Sequence, residues 1–266
     1  MSVVAALHFY PVKSCRGVGL ERATLEARGL RHDRRWMLVD DEGRFLTQRE
    51  EPRLALVGAA VDDGALVLSA PGRAALRVPL VPTAGSAPRR RVRVWKSEVE
   101  AVDLGPRAAS WMAEWLGRSA SLVHMPDDAR RAVNPEYARE GDIVSFADGY
   151  PLLVVSESSL EDLAARLGRP IPMNRFRPNV VVRGFPPWAE DGWRRIRIGA
   201  IPMRVCKPSA RCVVTTVDQS TGERGDEPLR TLATFRKQDG GVMFGQNCAP
   251  DALGEIAVGD AVTIES

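Results

Sequence analysis

Five short segments of this 266-residue chain combine cations with amide, hydroxyl or thiol groups, most of them beside a proline or glycine. They are Tyr10-Pro11-Val12-Lys13-Ser14-Cys15-Arg16-Gly17, Asp33-Arg34-Arg35-Trp36, Asn174-Arg175-Phe176-Arg177-Pro178-Asn179, Ser209-Ala210-Arg211-Cys212 and Phe244-Gly245-Gln246-Asn247-Cys248. Gathered on one cavity, such groups suit a polyanion that also forms hydrogen bonds, for example a phosphorylated heterocycle. Any one segment alone is an ordinary solvated surface feature, so the inference rests on all five occurring together. Lys13 carries extra weight. Of the 37 basic residues only Lys13, Lys96, Lys207 and Lys237 are lysines. The arginine excess reads as the composition of a GC-rich genome, and against it a lysine supplies a compact, flexible ammonium.

Other chemistries are excluded by spacing. Cys15, Cys206, Cys212 and Cys248 form no C-x-x-C, and His8, His32 and His124 are scattered. A structural zinc site and a plant-type iron–sulfur cluster therefore lack their ligand sets. Any metal here is held by very few protein ligands. There is no Walker loop, no G-x-G-x-x-G opening a helix and no G-x-S-x-G elbow. The acidic runs at 40–42, 62–63 and 226–227 read as solvated turns. A formal charge of +3 is too balanced to announce nucleic acid, and the basic residues are not interleaved with aromatics. No apolar run approaches the ~18 residues of a membrane helix. The opening M-S-V-V-A-A-L-H-F-Y has no basic leader and reads as a first strand, so a cytoplasmic protein without disulfides or a membrane span is expected.

The elements that must position these residues are mainly β with short helices. Strands are expected over 3–9, 35–40, 44–48, 54–61, 65–68, 74–81, 91–95 and 99–104, a spacing that suggests a barrel or sandwich. A mobile loop is expected over 82–91. Pro106 opens a helix whose Trp111, Met112, Trp115 and Leu116 form a core face, and Gly117 ends it. Residues 129–142 read as irregular. In the second half, strands are expected over 152–155, 179–183, 197–198, 203–206, 213–217, 242–245 and 261–265. A helix with a Ser158/Glu161 capping box runs to Gly168, and a shorter one covers 228–236. The division expected is 1–118 and 119–266, with the linker helix near 106–116.

At this point the chain resembles a known family. The segments Y-P-V-K-S-C-R-G, G-L-R-H-D-R-R-W-M-L-V-D-D-E-G-R-F-L-T-Q-R-E-E-P-R-L-A-L-V, L-L-V-V-S-E-S-S-L, N-R-F-R-P-N-V-V-V-R-G and R-C-V-V-T-T-V-D-Q-S-T-G are similar, in order and spacing, to those of MOSC proteins. The likeness runs from Leu7 to Ile264 and is to bacterial relatives of an amidoxime-reducing component. It implies an N-terminal β-barrel domain and a C-terminal MOSC domain with a molybdenum–pterin cofactor between them. It implies that Cys212 ligates molybdenum. Lys13, Ser14 and Arg34 in the first domain, and Ser156, Arg177, Asn179 and Arg211 in the second, match cofactor-binding positions. Asn247 stands where some relatives have tyrosine, and Ala210 where relatives have serine.

A thiolate is the natural soft donor for molybdenum already held by a dithiolate, and Arg211 beside Cys212 would favour the charged sulfur. The function implied is reduction of N-hydroxylated and other N-oxygenated small molecules, with electrons from a separate flavin or iron–sulfur protein because the chain ends without a ferredoxin-like domain. The alternative is a sulfur-carrier or cofactor-transfer module that uses Cys212.

Overall fold

The computed structural model describes residues 1–80, 88–238 and 240–265. Val3–Phe9 pairs antiparallel with Val180–Arg183 on one side and with Val18–Leu20 on the other. The first strand of the chain thus belongs to a sheet built mostly from the second half. From one edge that nine-stranded sheet runs Val262–Glu265, Arg195–Ile198, Ile201–Arg211, Gly241–Pro250, Leu152–Ser156, Val180–Arg183, Val3–Phe9 and Val18–Leu20, with Lys237–Gln238 added beside Gly241–Pro250. Leu152–Ser156 is buried along its whole length and pairs in parallel with Val180–Arg183. A continuous apolar run is what a strand covered on both faces requires.

The reverse exchange occurs at Ser121–His124, which pairs with Trp36–Val39 and Ser97–Asp103 in a four-stranded sheet completed by Arg89–Val94. Two three-stranded sheets complete the fold. One joins Gly254–Ala257 to Arg22–Glu26 and Gly29–Leu30, and the other holds Gly58–Asp62, Ala65–Ser69 and Leu76–Pro79. The chain is mainly β, with three α-helices among the described residues. Pro106–Leu116 packs Ala108, Trp111, Met112 and Leu116 onto the core that holds Val12, Cys15 and Trp36, and stops at Gly117 with φ 74°. A second core of Leu153, Val155, Leu163, Phe176, Leu232 and Phe244 lies beneath the Gly241–Pro250 strand, with the Phe176 and Phe244 rings stacked at 4.0 Å.

Several expectations are corrected. Residues 213–217, rich in β-branched side chains, form the 3-10 turn Val213–Thr216 because the Cys212 carbonyl accepts from both the N–H and the hydroxyl of Thr215. Pro52 likewise opens a 3-10 helix over Pro52–Leu56, so the strand expected from 54 begins at Gly58. Of 44–48, only Arg44 and Phe45 make isolated bridges. The helix Glu157–Leu167 starts after Ser156 and not at Ser158, so the capping box is absent. Arg89–Arg91 lie in a strand, and residues 81–87 of the expected loop and strand end fall outside the described residues.

Candidate functional site

All five segments converge on one cavity of about 430 Å3, lined by Lys13, Ser14, Arg34, Phe176, Arg177, Asn179, Arg211, Cys212 and Asn247 among others. That volume lies within the usual range for small-molecule sites. Three of these residues, Ser14, Arg34 and Arg177, have left-handed backbones, with φ of 68°, 48° and 56°. A non-glycine residue held there costs roughly 1–3 kcal/mol, and such residues cluster at functional sites. Pro11 O accepts Trp36 N, Tyr10 O accepts Arg34 N and Trp36 O accepts Lys13 N, which lace the two N-terminal turns together.

Lys13 is buried, and its Nζ donates to Phe146 O at 2.9 Å and to Asp148 Oδ1 at 2.5 Å. Burial pushes its ammonium down, and the Asp148 carboxylate opposes that shift. The 146–148 segment is itself held by Arg131, which donates to the carbonyls of Ser145, Ala147 and Asp148. Arg34 donates to both carboxylate oxygens of Asp33, to Asn179 Oδ1 at 3.1 Å and to Arg177 O at 3.1 Å. Asn179 also accepts from Leu153 N and donates to His8 O, so it ties three strands while fixing Arg34.

Arg177 differs from these. Its guanidinium is buried and lies 4.3 Å over the Tyr10 ring, and its Nη1 has no hydrogen-bond partner among the described residues. Burial pushes it down to about 10. Arg211 donates to Ser209 Oγ at 2.8 Å and Phe176 O at 2.7 Å, and its buried Nε is likewise without a partner. Buried polar atoms of native proteins are nearly always satisfied, and a cation left without a partner is expensive. Two such donors on one cavity fit an anionic ligand that is bound there.

Cys212 is half-buried at the end of the strand Ile201–Arg211 and faces this cavity. Arg211 does not bond its sulfur. Instead Arg49 Nη2 lies 3.2 Å from Cys212 Sγ. Burial pushes the Cys15 thiol up to about 12, the Cys206 thiol up to about 11 and the Cys248 thiol higher than its ordinary value. Those three are poor sources of a thiolate, and none of them lines the cavity. Among the described residues no group of three or more His, Cys, Asp and Glu could hold a metal ion. A soft donor beside two guanidinium groups that each keep one unpartnered nitrogen fits a metal carried on an anionic, sulfur-bearing cofactor.

Asn247 lines the cavity, and its Nδ2 donates to Pro208 O at 3.4 Å. Ser156 is not part of the lining. It is fully buried, with Oγ 2.8 Å from Ser158 Oγ, so it is not brought to the cavity with the other expected residues. Arg49, Trp95, Asp148 and Lys207 also line the cavity, and none of them belongs to the five segments. Arg49 stood inside the quoted T-Q-R-E-E-P-R segment, whereas Asp148 lay in a stretch without periodicity.

The model of the MOSC N-terminal beta barrel domain matches residues 1–119, and that of the MOSC domain matches residues 141–263. The mitochondrial amidoxime-reducing component 1 of Mus musculus is 37% identical over 279 residues, covering 98% of this chain and 82% of the mouse protein. The human component 1 is 36% identical, again over 98% and 82%. The Bos taurus amidoxime reducing component 2 is 34% identical, over 98% of this chain and 83% of its own. No helix among the described residues is long and apolar enough to cross a membrane. On these matches the chain belongs to the MOSC-domain family, as a relative of the amidoxime-reducing components.

Proposed function

We propose that this protein is a molybdenum-cofactor oxidoreductase that reduces N-hydroxylated and other N-oxygenated small molecules, with electrons from a separate flavin or iron–sulfur protein. The observation that carries the reading is one cavity holding a half-buried cysteine together with buried, unpartnered guanidinium nitrogens of Arg177 and Arg211. Cys212 would be the protein's ligand to molybdenum. Lys13, Ser14 and Arg34 from one half and Arg177, Asn179 and Arg211 from the other would hold the anionic and pterin parts. Asn247 would contribute an amide at the rim. Residues 1–118 and 119–266 then act as two domains sharing one ligand, although strands are exchanged between them.

When bound, the cofactor supplies a two-electron couple and an open coordination position for the substrate oxygen. Converting an N-hydroxyl to the corresponding N–H takes two electrons and two protons and releases water. The chain's part is to neutralise charge and to fix positions. Arg34 is locked by Asp33 and Asn179, and Lys13 by Phe146 O and Asp148, so neither must reorganise when an anion arrives.

The test is turnover of an N-hydroxylated amidine by holo-protein given a chemically reduced viologen. Formation of the amidine, lost in Cys212→Ala, supports the reading. Full molybdenum content without product contradicts it. A persulfide on Cys212 in protein that carries no metal would favour the sulfur-carrier alternative.

A further inference from the structure

Arg49 reaches the site from a turn, not a strand. Its N–H donates to Thr47 Oγ1 at 3.1 Å, and its carbonyl accepts from Arg224 Nη2, which fixes the backbone. From there the guanidinium lies 4.6 Å over the Trp95 ring and donates to Cys212 Sγ at 3.2 Å. Trp95 Nε1 donates in turn to Asp148 Oδ1 at 3.3 Å, and that same oxygen takes Lys13 Nζ. A continuous run of contacts thus joins Lys13 to the sulfur. Trp95 is 43% exposed and contributes little to the core, so its contact with Arg49 is available for orientation.

We propose that Arg49 is a positioning residue for Cys212. Its hydrogen bond keeps the sulfur turned into the cavity and draws electron density from it, which sets how strongly that sulfur donates to the metal. The inference rests on the reading of Cys212 as the molybdenum ligand. Groups that hydrogen-bond a coordinating atom govern both affinity and potential, and their loss typically costs about 10–100-fold in metal affinity. Arginine suits the task because its plane stacks on an aromatic ring while its edge donates, whereas lysine keeps the charge without that geometry.

The experiment compares wild-type holo-protein with Arg49→Gln, Arg49→Lys and Trp95→Leu. Molybdenum content after gel filtration is measured first, and the midpoint potential is then followed through the molybdenum EPR signal in a redox titration. Arg49→Gln is expected to lose about 10–100-fold in molybdenum affinity, and its remaining metal to titrate at a lower potential, because an undonated sulfur is richer in electrons. Arg49→Lys should recover part of that shift, and Trp95→Leu should move the potential in the same direction with Arg49 still present. Wild-type potential in Arg49→Gln, whatever its metal content, would overturn the proposal and leave Cys212 as ligand. Wild-type protein without molybdenum would overturn both.

Discussion

Arg34 and Arg177 come from different halves of the chain, yet Arg34 Nη2 donates to the Arg177 carbonyl at 3.1 Å and both guanidinium groups lie over the Tyr10 ring, at 4.2 and 4.3 Å. Asp33 neutralises Arg34, and among the described residues Arg177 has neither a carboxylate partner nor a hydrogen-bond acceptor for Nη1. The ring of Tyr10 is thereby shared by one cation from each half of the chain. An anion in the cavity relieves the charge that the protein leaves unbalanced.

Arg177→Met should separate binding from stability. A charge-assisted contact to a phosphate contributes roughly 1.5–3 kcal/mol, so cofactor retention should fall about tenfold or more. Without ligand the same change removes a buried, unsatisfied cation, and the apo Tm should rise. Pterin content after gel filtration and apo melting curves decide the matter. An apo Tm that drops sharply would mean that Arg177 serves the fold and not the ligand.

Lys13→Ala should likewise lose cofactor about tenfold or more, again from one charge-assisted contact. On the proposed reading the cofactor binds only the folded protein and bridges both halves, so wild-type holo-protein should melt higher than apo. Equal Tm values for holo and apo protein, with cofactor fully retained in Lys13→Ala, would displace the site from this cavity.

Gly17→Ala should act at a distance on both arginines. A methyl group there would overlap the Tyr10 ring, with Cδ1 only 2.7 Å away, and Tyr10 is buried. Overpacking of this kind costs about 1–3 kcal/mol. Displacing the ring should also lower cofactor retention, which urea melts paired with pterin analysis would register. Unchanged retention would show that Arg34 and Arg177 do not need the ring.

His124 should set an acid limb of stability. It is 5% exposed beside Trp36, with ring centroids 5.1 Å apart, and burial followed by Arg35 lowers its pKa from 6.5 to about 4. As pH falls from about 6.5 to about 4 the unfolded chain takes up a proton that the folded protein refuses. Stability is therefore complete above the upper value and is lost through that window, by an amount on the order of 3 kcal/mol. Denaturant midpoints should flatten across it in His124→Gln. An equally steep acid limb in the variant would assign the loss to other groups.

The turn-forming residues explain what could be read in advance. Pro11 and Pro178 interrupt the chain beside Lys13, Arg177 and Asn179, all three of which line the cavity. Gly117 and Gly168, both left-handed, end the helices where expected. What escaped was set by contacts between distant residues. Arg49 meets Cys212 across 163 positions, and nothing local signals that meeting. Val213 to Thr216 look like a strand by propensity, but hydroxyl bonds back to Cys212 O and Val213 O close them into a turn. Val3–Phe9 and Ser121–His124 each join a sheet of the other half, a pairing that periodicity along one strand does not reveal.

The most direct measurement is the molybdenum and pterin content of protein made in a cofactor-competent host, compared among wild type, Cys212→Ala, Cys15→Ala and Cys248→Ala. The account predicts stoichiometric metal in wild type, Cys15→Ala and Cys248→Ala, and its loss in Cys212→Ala with the fold retained. Metal at the wild-type level in Cys212→Ala, or its loss only when Cys15 or Cys248 is replaced, would contradict it.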